Sequence, residues 1–149
     1  MSKALGYDYQ TYIKQAILEP LNLQDTYFSI NDVPQNELMS GYYVGNPTDF
    51  KYLDQGYVAS AQDVGKFIRA LNDDTSNTGG KLFTEKERKI YQTLYKFNHT
   101  GWVLGYSSIA RYHKDLDAVV IQFTNTTGDD RVLLTQIVYG RILDILRSE

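Results

Sequence analysis

The sequence predicts an α+β fold, helices first and a small antiparallel sheet last, and three observations carry that expectation. Polar capping residues precede apolar runs of helical spacing at Asp8, Ser60 and Thr84. Residues 107–112 and 118–125 are rich in Ile, Val, Phe and Tyr and flank the polar turn His113-Lys114-Asp115-Leu116-Asp117, the pattern of a hairpin. A last apolar run, Leu134, Ile137, Val138, Ile142 and Ile145, has the spacing of a helix able to cover that hairpin.

Taken in order, Asp8 caps a helix with Tyr9, Tyr12, Ile13, Ala16 and Ile17 on its apolar face, and Pro20 ends it. Residues 29–55 are rich in Asn, Asp, Pro, Gly and Tyr with no sustained period, so they read as a long irregular connection. Ser60 and Asp63 form a capping box ahead of Val64, Phe67, Ile68 and Leu71. Capping accounts for both residues, so the pair is not read as a nucleophile with its partner. A polar linker spans 72–80, and Thr84 with Glu87 forms a second capping box ahead of Ile90, Tyr91, Leu94 and Tyr95. In the second strand Val119, Ile121 and Phe123 share one face and Ala118 and Val120 the other, which suits a sheet covered on both sides. Asp129 or Asp130 caps the last helix.

The 149 residues suit one domain, 1–95 mostly helix and loop and 96–149 strands and the final helix. A net charge of -3 provides no electrostatic footprint for nucleic acid, and no stretch approaches the apolar length of a membrane span. The absence of cysteine excludes disulfides, thiolate metal sites and a cysteine nucleophile. The only histidines are His99 and His113, and no carboxylate stands at a familiar ligand spacing to either, so neither metal nor cofactor is expected. His113 reads as a turn residue and Arg111 as part of an exposed sheet face. Met1-Ser2-Lys3 leads into no signal-peptide core, which leaves a cytosolic chain or a segment of something longer.

The chemistry concentrates in Asn98-His99-Thr100-Gly101-Trp102. His99 brings imidazole N–H groups, Thr100 a small hydroxyl, and Gly101 a place where a ligand can approach the backbone, a combination suited to an anion. The run from His99 to Asn125 resembles the C-terminal part of the penicillin-recognising serine hydrolases, the class C beta-lactamase, D-alanyl-D-alanine peptidase and esterase group. Three further segments resemble the same family: Pro20-Leu21-Asn22-Leu23-Gln24-Asp25-Thr26, with Asn22 where glycine is usual; Met39-Ser40-Gly41-Tyr42-Tyr43; and Gln55 to Phe67, with Tyr57 at a usual glycine.

The resemblance implies a beta-lactamase-like fold in which His99, Thr100 and Gly101 form the family's third motif and hold a substrate carboxylate. It implies that the Trp102 N–H serves as an oxyanion donor, in a place where relatives carry a small residue, and that Tyr42 and Tyr43 line the substrate cleft. The family's Ser-x-x-Lys and Tyr-x-Asn motifs are absent: no serine has Lys three residues on and no tyrosine has Asn two residues on. The Tyr-Gly-x-Gly-Trp strand usual before the third motif is also missing, a departure that predicts a deformed motif strand. The expected function is therefore the C-terminal portion of a hydrolase of lactams, D-Ala peptides or esters, inactive alone. The alternative is a non-catalytic module that binds a carboxylate-bearing peptide or muropeptide through the His99 cleft. Without the family's N-terminal strands the 118–125 strand is expected to show an open edge, inviting a homodimer or complementation by the missing half. Family members usually work outside the cytoplasm, in the cell envelope.

Overall fold

The structure, a computed structural model, describes residues 3, 6–48, 56–72, 82–94, 98–128 and 131–149. Asp8 caps helix α1 (Tyr9–Ile13) by accepting from the Thr11 N–H at 3.1 Å, and a π-helical turn, Lys14–Leu18, continues it. Asn22 then adopts φ +52°, the left-handed conformation that Asn tolerates. That reversal turns Leu21 and Leu23 into a core with Ala70, packed round by Ile17, Leu18, Phe67 and Leu82.

Residues 29–48 are more regular than the irregular connection the sequence predicts. Strand β1 (Thr26–Tyr27) leads into 3-10 turns at Ile30–Asp32 and Gln35–Glu37, then a short hairpin of β2 (Tyr42–Tyr43) and β3 (Asn46–Pro47). Strand β4 (Val58–Ala59) pairs antiparallel with β1.

Helix α2 (Ala61–Asn72) starts at its expected cap, with the Asp63 N–H donating to Ser60 Oγ at 3.1 Å. The capping reading of Asp63 nevertheless needs correction. Its carboxylate belongs to a residue only 1% exposed and accepts from the Asp25 N–H at 2.7 Å and Thr26 Oγ1 at 3.0 Å. Lys66 Nζ holds the other carboxylate oxygen at 2.9 Å. Asp63 thus fastens α2 to the β1–β4 ribbon across 38 residues of chain, a long-range role that a capping pattern cannot reveal. Helix α3 (Glu85–Leu94) carries the complete box: Thr84 N–H donates to Glu87 Oε2 at 2.8 Å and the Glu87 N–H to Thr84 Oγ1 at 3.3 Å.

The C-terminal sheet comprises β5 (Asn98–Val103), β6 (Tyr106–His113) and β7 (Ala118–Thr124), antiparallel in that order. β5 forms unbroken, without the deformation expected from the missing Tyr-Gly-x-Gly-Trp segment. The short β8 (Thr126–Thr127) pairs parallel with β2, and helix α4 (Arg131–Ser148) follows. The expected linker at 72–80 from residue 73 onward, and the Asp129 or Asp130 cap, lie outside the described residues. α4 covers one sheet face, where Ile109 and Val120 meet Tyr139, Ile142 and Leu143. α2 packs on the other face, where Gly65 would place a Cβ 3.4 Å from Ile121 Cδ1.

His113 is not a turn residue. It ends β6, and its Nε2 lies 2.8 Å from Tyr139 Oη, whose hydroxyl donates to the Val120 carbonyl at 3.1 Å. The turn itself is held by Asp117, at φ +47°, which accepts from both Arg69 Nη atoms at 2.8 and 3.1 Å and from Tyr112 Oη at 2.7 Å. Arg111, read as exposed sheet face, does stand exposed, with its guanidinium 5.9 Å from the Tyr139 ring centre.

Two stability predictions arise from these contacts. Asp63→Ala strands a buried N–H and a hydroxyl, so it should lower unfolding free energy by about 2–3 kcal/mol in urea denaturation. Burial pushes the His113 imidazole below its ordinary range, with Arg147 adding to the effect, Asp115 opposing it and Arg111 reinforcing it. The folded state then binds fewer protons than the unfolded one. The stability involved is complete above the unfolded value of about 6.5 and is lost as pH falls through it toward the lower folded value. The denaturation midpoint should therefore drop more steeply on acidification in the native chain than in His113→Gln.

Candidate functional site

The site is built on the turn that joins β5 to β6. Two residues make that turn, Leu104 and Gly105, with Gly105 at φ +92° and a position where a Cβ would fall 2.6 Å from Thr48 Oγ1. Only glycine satisfies both conditions. The Gly105 N–H donates to the buried Thr127 Oγ1 at 2.8 Å. Beside it the Tyr106 ring lies on Gly41, where no Cβ fits, and Tyr106 Oη donates to the Met39 carbonyl at 2.7 Å. Segment 39–48 therefore grips the turn and fixes the hairpin register.

That register pairs His99 with Ala110, Thr100 with Ile109, Gly101 with Ser108 and Trp102 with Ser107. Because directly opposed residues share a face, Thr100 and Trp102 lie on the α4 side with Ile109. They line a cavity of about 300 Å³ with Ser107, Thr135 and Gln136. His99 and Gly101 lie on the α2 side with Ala110. The Tyr112 N–H turns toward β5, donating to Asn98 Oδ1 at 3.1 Å. By the alternation of antiparallel pairing, Tyr106, Ser108 and Ala110 also spend their backbone groups on β5, against Val103, Gly101 and His99. The N–H and C=O groups of Asn98, Thr100 and Trp102 consequently face outward from the free edge of β5.

The edge is open to a ligand: His99 and Thr100 are exposed and Trp102 is 57% exposed. The bulk of Trp102 stays on the α4 side while its N–H points out of the edge. Three of the residues singled out in the sequence, His99, Thr100 and Gly101, are thus brought to one edge with the Trp102 N–H. Tyr42, 38% exposed, and the half-buried Tyr43 occupy β2, on the segment that grips the turn, and neither lines the cavity. Sequence reasoning misses Ser108. A Cβ on Gly101 would lie 2.7 Å from Ser108 Oγ, so this hydroxyl fills the space that glycine leaves. Nothing in sequence spacing marks it, because cross-strand register decides the contact. Among the described residues no cluster of His, Asp and Glu could hold a metal ion, and no helix is long and apolar enough to cross a membrane.

Comparison with known proteins places the chain in a family. The beta-lactamase family model matches residues 1–139. The chain belongs to the beta-lactamase family. Among solved structures it is similar to the D-amino acid amidase of Ochrobactrum anthropi SV3. The complex with D-phenylalanine gives a TM-score of 0.72 at 17% identity, over 97% of this chain and 56% of the amidase. The complex with L-phenylalanine amide gives 0.73 at 16% identity, over 99% and 53%. A D-stereospecific amidohydrolase from a Streptomyces species gives 0.63 at 17% identity, over 84% and 46%. No curated protein matches by sequence. The chain thus has the fold of these proteins and spans about half the length of the solved structures it matches.

The contact between Gly101 and Ser108 is testable. Gly101→Ala should destabilise the chain by about 1–2 kcal/mol through overpacking. Adding Ser108→Ala should recover most of that loss, a coupling read from the thermal midpoints of the four variants.

Proposed function

We propose that this beta-lactamase-family chain supplies the substrate-binding edge of an acyl-transfer site whose nucleophile lies outside these 149 residues. The observation that carries the reading is a contrast. His99, Thr100 and an outward Trp102 N–H occupy one open strand edge, yet no serine in the sequence has Lys three residues on. In this reading His99 and Thr100 hold the substrate carboxylate by charge-assisted and hydroxyl hydrogen bonds. The Trp102 N–H is one of two donors to the developing oxyanion. A Ser-x-x-Lys segment brings the second donor, the attacking hydroxyl and the lysine that takes its proton. Tyr42 and Tyr43 border the body of the substrate.

The substrate class is an acyl compound cleaved at an amide, lactam or ester bond. The amidase and amidohydrolase that share the fold favour an amide beside a D-residue. Alone, the chain binds without turning over.

Two measurements test the proposal. Intact mass after incubation with a fluorescent penicillin and an activated ester should show no adduct specific to native over heat-denatured chain. N-acetyl-D-Ala-D-Ala, titrated against the chain and followed by amide NMR, should shift Thr100, Gly101 and Trp102 saturably. His99→Ala should weaken that binding by about tenfold or more, the worth of one hydrogen bond to a charged group. A stoichiometric adduct on native chain, or binding indifferent to His99→Ala, would overturn the reading.

A further inference from the structure

We propose that the cavity between α4 and the β5–β6 pair is a second subsite, which takes a flat, uncharged side chain of the ligand ending in an amide. Its place in one ligand with the β5 edge rests on the function proposed above, whereas the binding of the amide group does not. The cavity lies on the β5 side of α4, away from β7, and its walls come from β5, β6 and α4 of this chain. Its volume of about 300 Å³ is at the lower limit of ligand pockets and holds roughly ten non-hydrogen atoms, part of a substrate and not the whole.

Ser107 supplies the first polar group. It pairs with Trp102, so its side chain stands on the α4 side of the sheet, where it lines the cavity. Its Oγ is buried and has no hydrogen-bond partner among the described residues. A buried hydroxyl without a partner is costly, and an amide, which both donates and accepts, matches a hydroxyl able to do either. Gln136, exposed near the start of α4, brings a carboxamide to the same cavity, with one acceptor and one donor group of its own.

The lining decides against a charged group. None of the described lining residues is ionisable, and His99 stands on the opposite face of the sheet. An ion entering the cavity would leave water without meeting an opposite charge. The walls also favour a flat group: Trp102, more than half exposed, presents its indole, and the buried Ile109 presents an apolar side chain. A planar group lies against the indole while its polar end stays free for Ser107 and Gln136.

Thr100 joins the two parts of the site. It is exposed on the edge strand and lines the cavity as well. In the proposed function its hydroxyl helps to hold the substrate carboxylate, so the residue bearing that carboxylate has the cavity beside it on the α4 side. A ligand lying along the outer edge of β5 is two strand spacings, about 10 Å, from β6 and Ser107. A short side chain does not cross that distance, whereas a benzyl group ending in a carboxamide does. The substrate class narrows accordingly to an acyl compound whose carboxylate-bearing residue has a long, flat, uncharged side chain with an amide at its end.

Amide NMR of the unmodified chain tests the subsite by itself, with benzamide and benzoate as probes. Benzamide should shift the Ser107 and Gln136 amides and the Trp102 indole N–H saturably, and benzoate should bind at least about tenfold more weakly. Ser107→Ala should weaken benzamide binding about three- to tenfold without lowering the thermal midpoint, since the hydroxyl it removes has no partner. If that variant does not fold, Gln136→Ala, at an exposed position, should weaken benzamide in the same way. His99→Ala should leave benzamide binding unchanged. The link to the β5 edge is tested with N-acetyl-D-Ala-D-Ala and its analogue ending in 4-carbamoyl-D-phenylalanine. The analogue should bind at least about tenfold more tightly, and its 4-carboxy counterpart should lose that gain. Benzamide that does not saturate, benzoate bound equally well, or benzamide indifferent to both variants would overturn the subsite. An analogue no tighter than N-acetyl-D-Ala-D-Ala, with benzamide still bound, would overturn its place in the same ligand. Benzamide binding without any binding of N-acetyl-D-Ala-D-Ala would overturn the proposed function and support the subsite on its own.

Discussion

The pairing register of β5 on β6 is the constraint on which the site depends. A slip of one residue would move His99 and Gly101 to the α4 face and point the Trp102 N–H into the sheet. Two turn residues alone hold such a register weakly. Here the turn is clamped from outside the hairpin: Gly105 closes on Thr48 and Thr127, and Tyr106 lies on Gly41. Thr127 is 1% exposed, so its hydroxyl meets the Gly105 N–H with little competition from water. The sequence separation of these contacts makes the chemistry of residues 99–102 a product of residues 39–48.

Local patterns in the sequence reveal the elements and conceal the ties between them. Asp8, Ser60 and Thr84 announce their helices because a cap and its helix are neighbours in the chain. The β6–β7 hairpin is legible because both strands are long and apolar around a polar turn. The β2–β3 pair is not, since each strand has two residues and the turn between them places Val44 at φ +49°. A β-branched residue rarely adopts that conformation, and Asn-Gly would have signalled the turn. Asp63 and His113 suggest local roles in the sequence, capping and turn, and each proves to bond across the fold to Asp25 or Tyr139. The His99-Thr100-Gly101 run is legible as a pattern, whereas the direction of each group comes only from the register.

The sheet has two free edges among the described residues, and their chemistry differs. β5 presents His99, Thr100 and the outward N–H of Trp102, groups suited to a polar ligand. β7 presents an uncharged strand without proline, glycine or a bulge, suited to another strand. β6, fully paired on both sides, separates the two and holds the buried Ile109 and Ala110. A ligand at one edge and a strand at the other can therefore be accommodated at once.

Under the proposed function, residue 102 allows the side chain to vary in size while the backbone chemistry stays constant. An oxyanion donor is a backbone N–H, and its direction is set by the ladder, not by the side chain. Alternation sends the indole to the α4 side, where it lines the crevice with Ile109 and Thr135. A bulky residue there stands 57% exposed on the α4 side and leaves the opposite face, which holds His99, unobstructed. In the proposed function the position of the donor is a matter of how tightly Gly105 and Tyr106 are held.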